Sequence, residues 1–235
     1  PALLAYRFFL DETMADQLIV PDVSIREGVL LSIATGDQAH IRKEFSDQVI
    51  ASSIGLGKKF HFDEKHSRHV ATLAVQLFDE LQSEHGMDSR ARLLLEVAGI
   101  VHDIGNFIRA AGHHKHGQYI VENSEIFGLT RNDNAIVANV VRYHRGGMPS
   151  SAHPNYVSLR REQRMTVLKL AAILRVADAM DRGHSQRVRG FSIEQTDEDV
   201  ILHCDATGDI SIEQNGLRTK GQMFTEVFGY RVIAL

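Results

Sequence analysis

A mainly α fold with a small α/β tail is what this sequence predicts, and three observations lead there. Apolar residues recur at spacings of three and four through the middle of the chain, the pattern of amphipathic helices. One run, RLLLEVAGIV, is apolar nearly all round and reads as a buried central helix. Beyond about residue 187 the chain turns to short runs rich in β-branched residues, the mark of strands.

Residues 1–36 are mixed. PDVSIREGVLLSIATG reads as a short extended piece and then a helix stopped at Gly36. Asp37 can cap QAHIRKEFSDQVIASSIGLG, which should end at Gly55 or Gly57. Asp63 caps EKHSRHVATLAVQLFDELQSEHG, whose apolar stripe is Val70, Leu73, Leu77 and Leu81. SRARLLLEVAGIVHDIG follows as a helix with His102 and Asp103 inside it, and then HGQYIVENSEIFG and RNDNAIVANVVRYHR. The loop GGMPSSAHPNYVS, with two of the four prolines, precedes the long helix REQRMTVLKLAAILRVADAMDRG. In the tail VRGFSIEQ, DVILHC and YRVIAL read as strands, and SIEQNGLRTKGQMFTEVFG as a weak helix with two interior glycines.

A chain of 235 residues can bury a full core, and its 43% hydrophobic and 24% charged content is ordinary for a soluble globular protein. No apolar run reaches the roughly 18 residues that span a bilayer. Arg7 and Asp11 break up ALLAYRFFLDE, so no signal segment opens the chain, and the single Cys204 excludes a disulfide framework. A cytoplasmic protein without a membrane partner is expected, and Pro1 in place of methionine suggests a fragment or a processed chain. The net charge of −4 argues against nucleic-acid binding by the whole surface. Between Arg160 and Arg189, however, eight Lys/Arg face three acids. That segment is either an anion site or, more simply, a solvated helix face.

Nine of the thirteen histidines lie between His61 and His144. His66 shares a helical face with Val70, Leu73 and Leu77, His144 follows Val137, Val140 and Val141, and Asp178 follows Val167, Ala171 and Leu174. His102 and Asp103 sit at the end of the most apolar run. Burying an unpaired carboxylate costs several kcal/mol, so each group needs a partner. One divalent cation can satisfy several inward His and Asp residues together, and this donor set suits Mn, Fe, Ni or Zn better than Mg. The plainer alternatives are hydrogen-bonded core histidines, with His40, His69, His85 and His203 in that class or on the surface, and an Asp178 paired with Arg175 or Arg68.

H-x-x-x-V at His66, the adjacent His102-Asp103 and the helical Asp178 resemble the HD superfamily of metal-dependent phosphohydrolases. More specifically, KHSRHVATLAVQLFDEL, GHHKHGQYIVENSEIFGLT, the RYHR at Arg142–Arg145 and LAAILRVADAMDRGH resemble, in that order, the C-terminal region of the exopolyphosphatase/guanosine pentaphosphatase (Ppx/GppA) family. The resemblance covers most of 26–235, and REGVLLSIATG is similar to the end of that family's actin-like catalytic module.

The resemblance implies three parts: 1–36 as the stub of the actin-like module, 37–186 as a helical HD domain, and 187–235 as a small α/β subdomain. It implies that His66, His102, Asp103 and Asp178 coordinate a metal, with His102 and Asp103 at the catalytic centre. His113, His114 or His116, together with His144, would add a second ion, and Lys115, Arg145 and Arg182 would hold phosphate. The expected ligands are one or two divalent ions and a phosphorylated small molecule, either polyphosphate or a guanosine nucleotide. A homodimer is the implied assembly. The family also implies an alternative, since its polyphosphate hydrolysis belongs to the actin-like module, which is almost wholly missing here. The chain would then be a non-catalytic regulatory, dimerisation or polyphosphate-binding domain. The residues alone leave a third reading, a helical interaction module whose buried polar groups pair with each other.

Overall fold

A computed structural model describes residues 2–15, 17 and 38–235. The extended piece and helix expected in PDVSIREGVLLSIATG, the Asp37 cap and most of the expected stub lie outside the described residues. The chain divides into two compact units, Pro1–Glu44 and Phe45–Leu235. The first contains α1 (Ala2–Thr13), a helix where the sequence offered only mixed character. Helix α2 (Gln38–Lys59) crosses the unit boundary. It runs past Gly55 and Gly57, and the Phe62 ring packs where a Cβ of Gly57 would stand, at 2.7 Å.

Four helices build the core of the second unit: α3 (Glu64–Glu80), α5 (Ser89–Val101), α7 (Arg131–Tyr143) and α9 (Arg161–Met180). Helix α3 packs on α5 and α9, and α7 packs on α5 and α9. Their stripes meet in Val70, Leu73 and Leu77, in Leu95, Ala98 and Val101, in Val137, Val140 and Val141, and in Val167, Leu170, Ala171 and Leu174, all without solvent exposure. Each such Val or Leu side chain contributes about 1.5–3 kcal/mol by leaving water. The expected helix 64–86 is split at Leu81, after which α4 (Gln82–His85) ends on the left-handed Gly86. His85 donates or accepts locally, against the Phe78 carbonyl and the Met87 amide, as a core histidine.

Between these helices lie the 3-10 turn Ile104–Phe107, α6 (His113–Glu122) and α8 (Pro154–Val157). The tail forms a three-stranded sheet of order β1-β2-β3, from β1 (Val188–Gln195), β2 (Asp199–Ala206) and β3 (Arg231–Ala234). The first pair is antiparallel and the second parallel. The parallel pairing requires a helical crossover. That crossover is α10 (Ser211–Lys220) and α11 (Gln222–Phe228), two helices in place of the one expected, broken at Gly221. Both pack on α9, so the end of α10 is delivered to the helical bundle. Among the described residues no helix is long and apolar enough to cross a membrane.

Helix α7 starts on a capping box in which Thr130 and Asp133 bond each other's backbone, and Asp133 also takes Arg90 of α5 at 2.6 Å. Burial pushes the Asp133 carboxyl pKa up, but bonds from Arg90 and Thr130 outweigh that and hold it below the usual range. Its contribution is therefore complete above the unfolded carboxylate pKa of about 4 and is lost as pH falls through the lower folded value. Urea melts of Asp133→Ala should show a loss of about 1–2 kcal/mol at neutral pH. The deficit should shrink as the solution is acidified.

Candidate metal centre

Four imidazoles gather around Asp103 and Asp178, three of them held by a backbone carbonyl and the fourth by a carboxylate. His102 and His144 are the C-caps of α5 and α7, and His113 opens α6. Their Nδ1 atoms lie 2.7, 2.7 and 2.9 Å from the carbonyl oxygens of Gly99, Val141 and Ala110, each three residues earlier. A carbonyl only accepts, so Nδ1 carries the proton and donates it. For His102 and His144 the bonds also satisfy carbonyls that a helix C-terminus leaves open. His66, in the first turn of α3, donates from Nδ1 to Asp181 Oδ2 at 2.8 Å. The Asp63 cap fixes its backbone through the His66 amide. In the neutral rings this leaves every Nε2 as a bare lone pair.

Those lone pairs face carboxylates. Asp103 Oδ1 is 3.0 Å from His113 Nε2, 3.6 Å from His144 Nε2 and 3.7 Å from His102 Nε2. Asp178 Oδ1 is 3.8 Å from His66 Nε2 and 4.0 Å from His102 Nε2. Two ligand sets share Asp103: His66, His102 and Asp103, and Asp103, His113 and His144, the ligand atoms of each lying within 4.8 Å of one another. Nε2 of His66 and of His102 is buried with no hydrogen-bond partner. Acceptors packed against acceptors repel unless a cation lies among them. Burial lowers the pKa of His102 and His144, which keeps these two rings neutral and so able to act as ligands. Burial works against ionised Asp103, and any positive charge on the surrounding rings, His102 first, draws its carboxyl far below the ordinary range.

The structure revises several details of the sequence reading. His102 and Asp103 lie just beyond α5, not inside it, where the chain leaves the helix and Asp103 takes φ −103°, ψ 4°. That bend lets two consecutive side chains aim at one point. GHHKH does not precede a helix; it begins one, and His113 alone of its histidines reaches Asp103. His114 is turned about 100° away along the helix, and His116 lies almost one turn further on. The pKa of His114 is pushed down to about 4 by burial and by Arg142, and it belongs to neither ligand set. Gly105 permits the arrangement, since a Cβ there would collide with the His113 carbonyl and the Gly117 amide.

The three expected phosphate groups are divided. Arg145 and Arg182 border a cavity of about 330 Å³ together with Arg175, Thr219 and Lys220, whereas Lys115 borders a different one with Arg142 and His153. A larger cavity of about 750 Å³, near Ser52, Phe127 and Asn134, contains none of the ligating residues. Two residues of the site were not foreseen. Asp181, one turn after Asp178, holds His66 and is held in turn by Gln186 at 2.7 and 3.0 Å. Lys220 of α10 is the partner of Asp178, bonded to its Oδ2. Arg175 instead donates to the carbonyls of Tyr143, Gly146 and Gly147, and Arg68 pairs with Glu64. The spacing of Asp181 in ADAMD was a readable signal, but nothing in the sequence pointed from Lys220 to Asp178.

The family model described as Ppx/GppA phosphatase, domain III, matches residues 50–217, which include both candidate ligand sets and Asp178. The chain belongs to the Ppx/GppA phosphatase family. Relatives carry the name guanosine-5'-triphosphate,3'-diphosphate pyrophosphatase. One from Pseudoalteromonas translucida is 29% identical over 127 residues, covering 53% of this chain and 24% of that protein. One from Photobacterium profundum is 23% identical over 180 residues, covering 76% and 34%. One from Aeromonas hydrophila is 23% identical over 205 residues, covering 86% and 39%. The chain thus spans between a quarter and two fifths of the length of these Ppx/GppA relatives.

Asp178→Asn leaves the Lys220 ammonium without its carboxylate. Urea melts in chelator should show a loss of about 2–3 kcal/mol, somewhat under the figure for enclosed pairs because Lys220 borders a cleft. Combining it with Lys220→Met should recover most of the loss, as expected of directly coupled residues.

Proposed function

We propose that Phe45–Leu235 houses an HD-type phosphohydrolase centre that hydrolyses a phosphoanhydride bond of a phosphorylated guanosine nucleotide or of polyphosphate. The observation that carries this reading is the pair of buried, unpartnered Nε2 atoms of His66 and His102 facing ionised carboxylates. His66, His102, Asp103 and Asp178 would hold one divalent ion, and Asp103, His113 and His144 a second. When bound, such ions supply positive charge that acidifies a water and draws electron density from a phosphoryl group. Mn, Fe, Ni or Zn suits the mixed imidazole and carboxylate set.

The residues of the chain supply the rest. Asp103 stays ionised and faces both ligand sets, so it can accept a hydrogen bond from the attacking water and orient it. The carbonyls of Gly99, Ala110 and Val141 fix the tautomers, so no ring must reorganise to present Nε2. Arg145 and Arg182 border the neighbouring cleft and can neutralise phosphate oxygens, a planar fork being suited to that task. The names of the relatives favour the guanosine nucleotide over polyphosphate as substrate.

A second reading has one observation in its favour. The chain covers at most about two fifths of these three relatives, so hydrolysis could reside in the part it lacks. This region would then bind metal and phosphate without turning substrate over.

Elemental analysis of the purified chain should find about one or two equivalents of transition metal. A phosphate-release assay with added Mn²⁺ should show turnover that Asp103→Ala abolishes, along with most of the metal. A protein free of metal that also ignores Mn²⁺ and Zn²⁺ in calorimetry would sink the metal reading. Tight metal binding without phosphate release would select the second reading.

A further inference from the structure

Lys220 stands where two features of the unit meet. Its ammonium is bonded to Asp178 Oδ2, while the other oxygen, Oδ1, is the one turned to His66 and His102. The same side chain borders the cavity of about 330 Å³ that Arg145 and Arg182 also border. It is nearly enclosed, with 12% of its side chain exposed. Arg145 faces the centre as well, its Nη1 being 3.5 Å from His113 Nε2. The positive charge beside these ligands is therefore supplied by the chain itself.

We propose that Lys220 is a positioning residue that couples occupancy of the metal centre to anion binding in the cleft. The inference rests on the metal reading above. A divalent ion among His66, His102 and Asp178 repels an ammonium paired with the same carboxylate. The flexible stem of lysine lets that ammonium turn toward the cleft it already borders. There it joins Arg145, Arg175 and Arg182, and four cations around one cleft favour an anion. A phosphate group is such an anion. The two ligands consequently help each other: metal frees Lys220 for phosphate, and phosphate holds Lys220 away from Asp178. By linkage the coupling is reciprocal.

The test is isothermal calorimetry of Mn²⁺ with and without inorganic phosphate, on the 235-residue chain and its Lys220→Gln variant. Glutamine keeps a donor for Asp178 Oδ2 and removes the charge, so it separates repulsion from orientation. In the absence of phosphate the variant should bind Mn²⁺ about five- to tenfold more tightly than wild type. Phosphate should strengthen Mn²⁺ binding in wild type by more than it does in Lys220→Gln. Phosphate that simply ligates the metal would act equally on both proteins, and equal factors overturn the proposal. So does a variant that binds Mn²⁺ more weakly, since Lys220 would then only orient Asp178. Arg182→Gln, a change at an exposed side chain away from the ligands, gives a second measure: it should reduce the phosphate effect on Mn²⁺ binding. A variant that binds Mn²⁺ where wild type does not supports the proposal. Binding by neither protein overturns it together with the metal reading, whereas failure of the coupling alone leaves wild-type Mn²⁺ binding intact.

Discussion

The arrangement depends on one repulsion. Imidazole lone pairs and carboxylate oxygens are packed within 3.0–4.0 Å of each other in the interior of a helical bundle. Donors that would normally relieve such contacts are committed elsewhere, since each Nδ1–H of the four rings is bonded to a carbonyl or to Asp181. A net stabilising apolar core is needed to hold these groups together, and it is supplied by the fully buried stripes of α3, α5, α7 and α9. The bundle stabilises the molecule, and the polar centre draws on that stability.

Helix ends are the means of construction. Three of the four imidazoles sit at a helix terminus, and there a side chain can bond a carbonyl three residues back and still project inward. A mid-helix residue has no free carbonyl to use and a fixed direction of projection. The bend after Val101 turns His102 and Asp103 into adjacent ligands, and the bare backbone of Gly105 lets α6 approach closely enough for His113 to join them. The C-terminal segment then contributes through α10, which brings Lys220 against Asp178.

Membership of the Ppx/GppA family agrees with this construction without assigning its chemistry. The matched region, 50–217, contains both ligand sets and ends just before Lys220. The relatives extend well beyond what this chain covers, so the balance between a hydrolytic centre and a binding module turns on what these side chains do when supplied with metal.

Much of the fold was legible in the sequence. The 3.6-residue spacing of apolar positions marks α3, α5, α7 and α9, because it reports which face is buried, and short runs rich in β-branched residues mark β1 and β2. The same spacing placed His66 and Asp178 on apolar faces. Helix ends were less legible: α5 stops before His102, and α2 continues through two glycines. Only the tertiary structure decided which of His113, His114 and His116 reaches Asp103, since that depends on the rotation of α6 about its axis. It alone paired Asp178 with Lys220 rather than an arginine, and His66 with Asp181, because these partners are 42 and 115 residues apart in the chain. A sequence states which side chains must find partners when buried; the partner across such a separation is chosen by how the helices and the crossover pack.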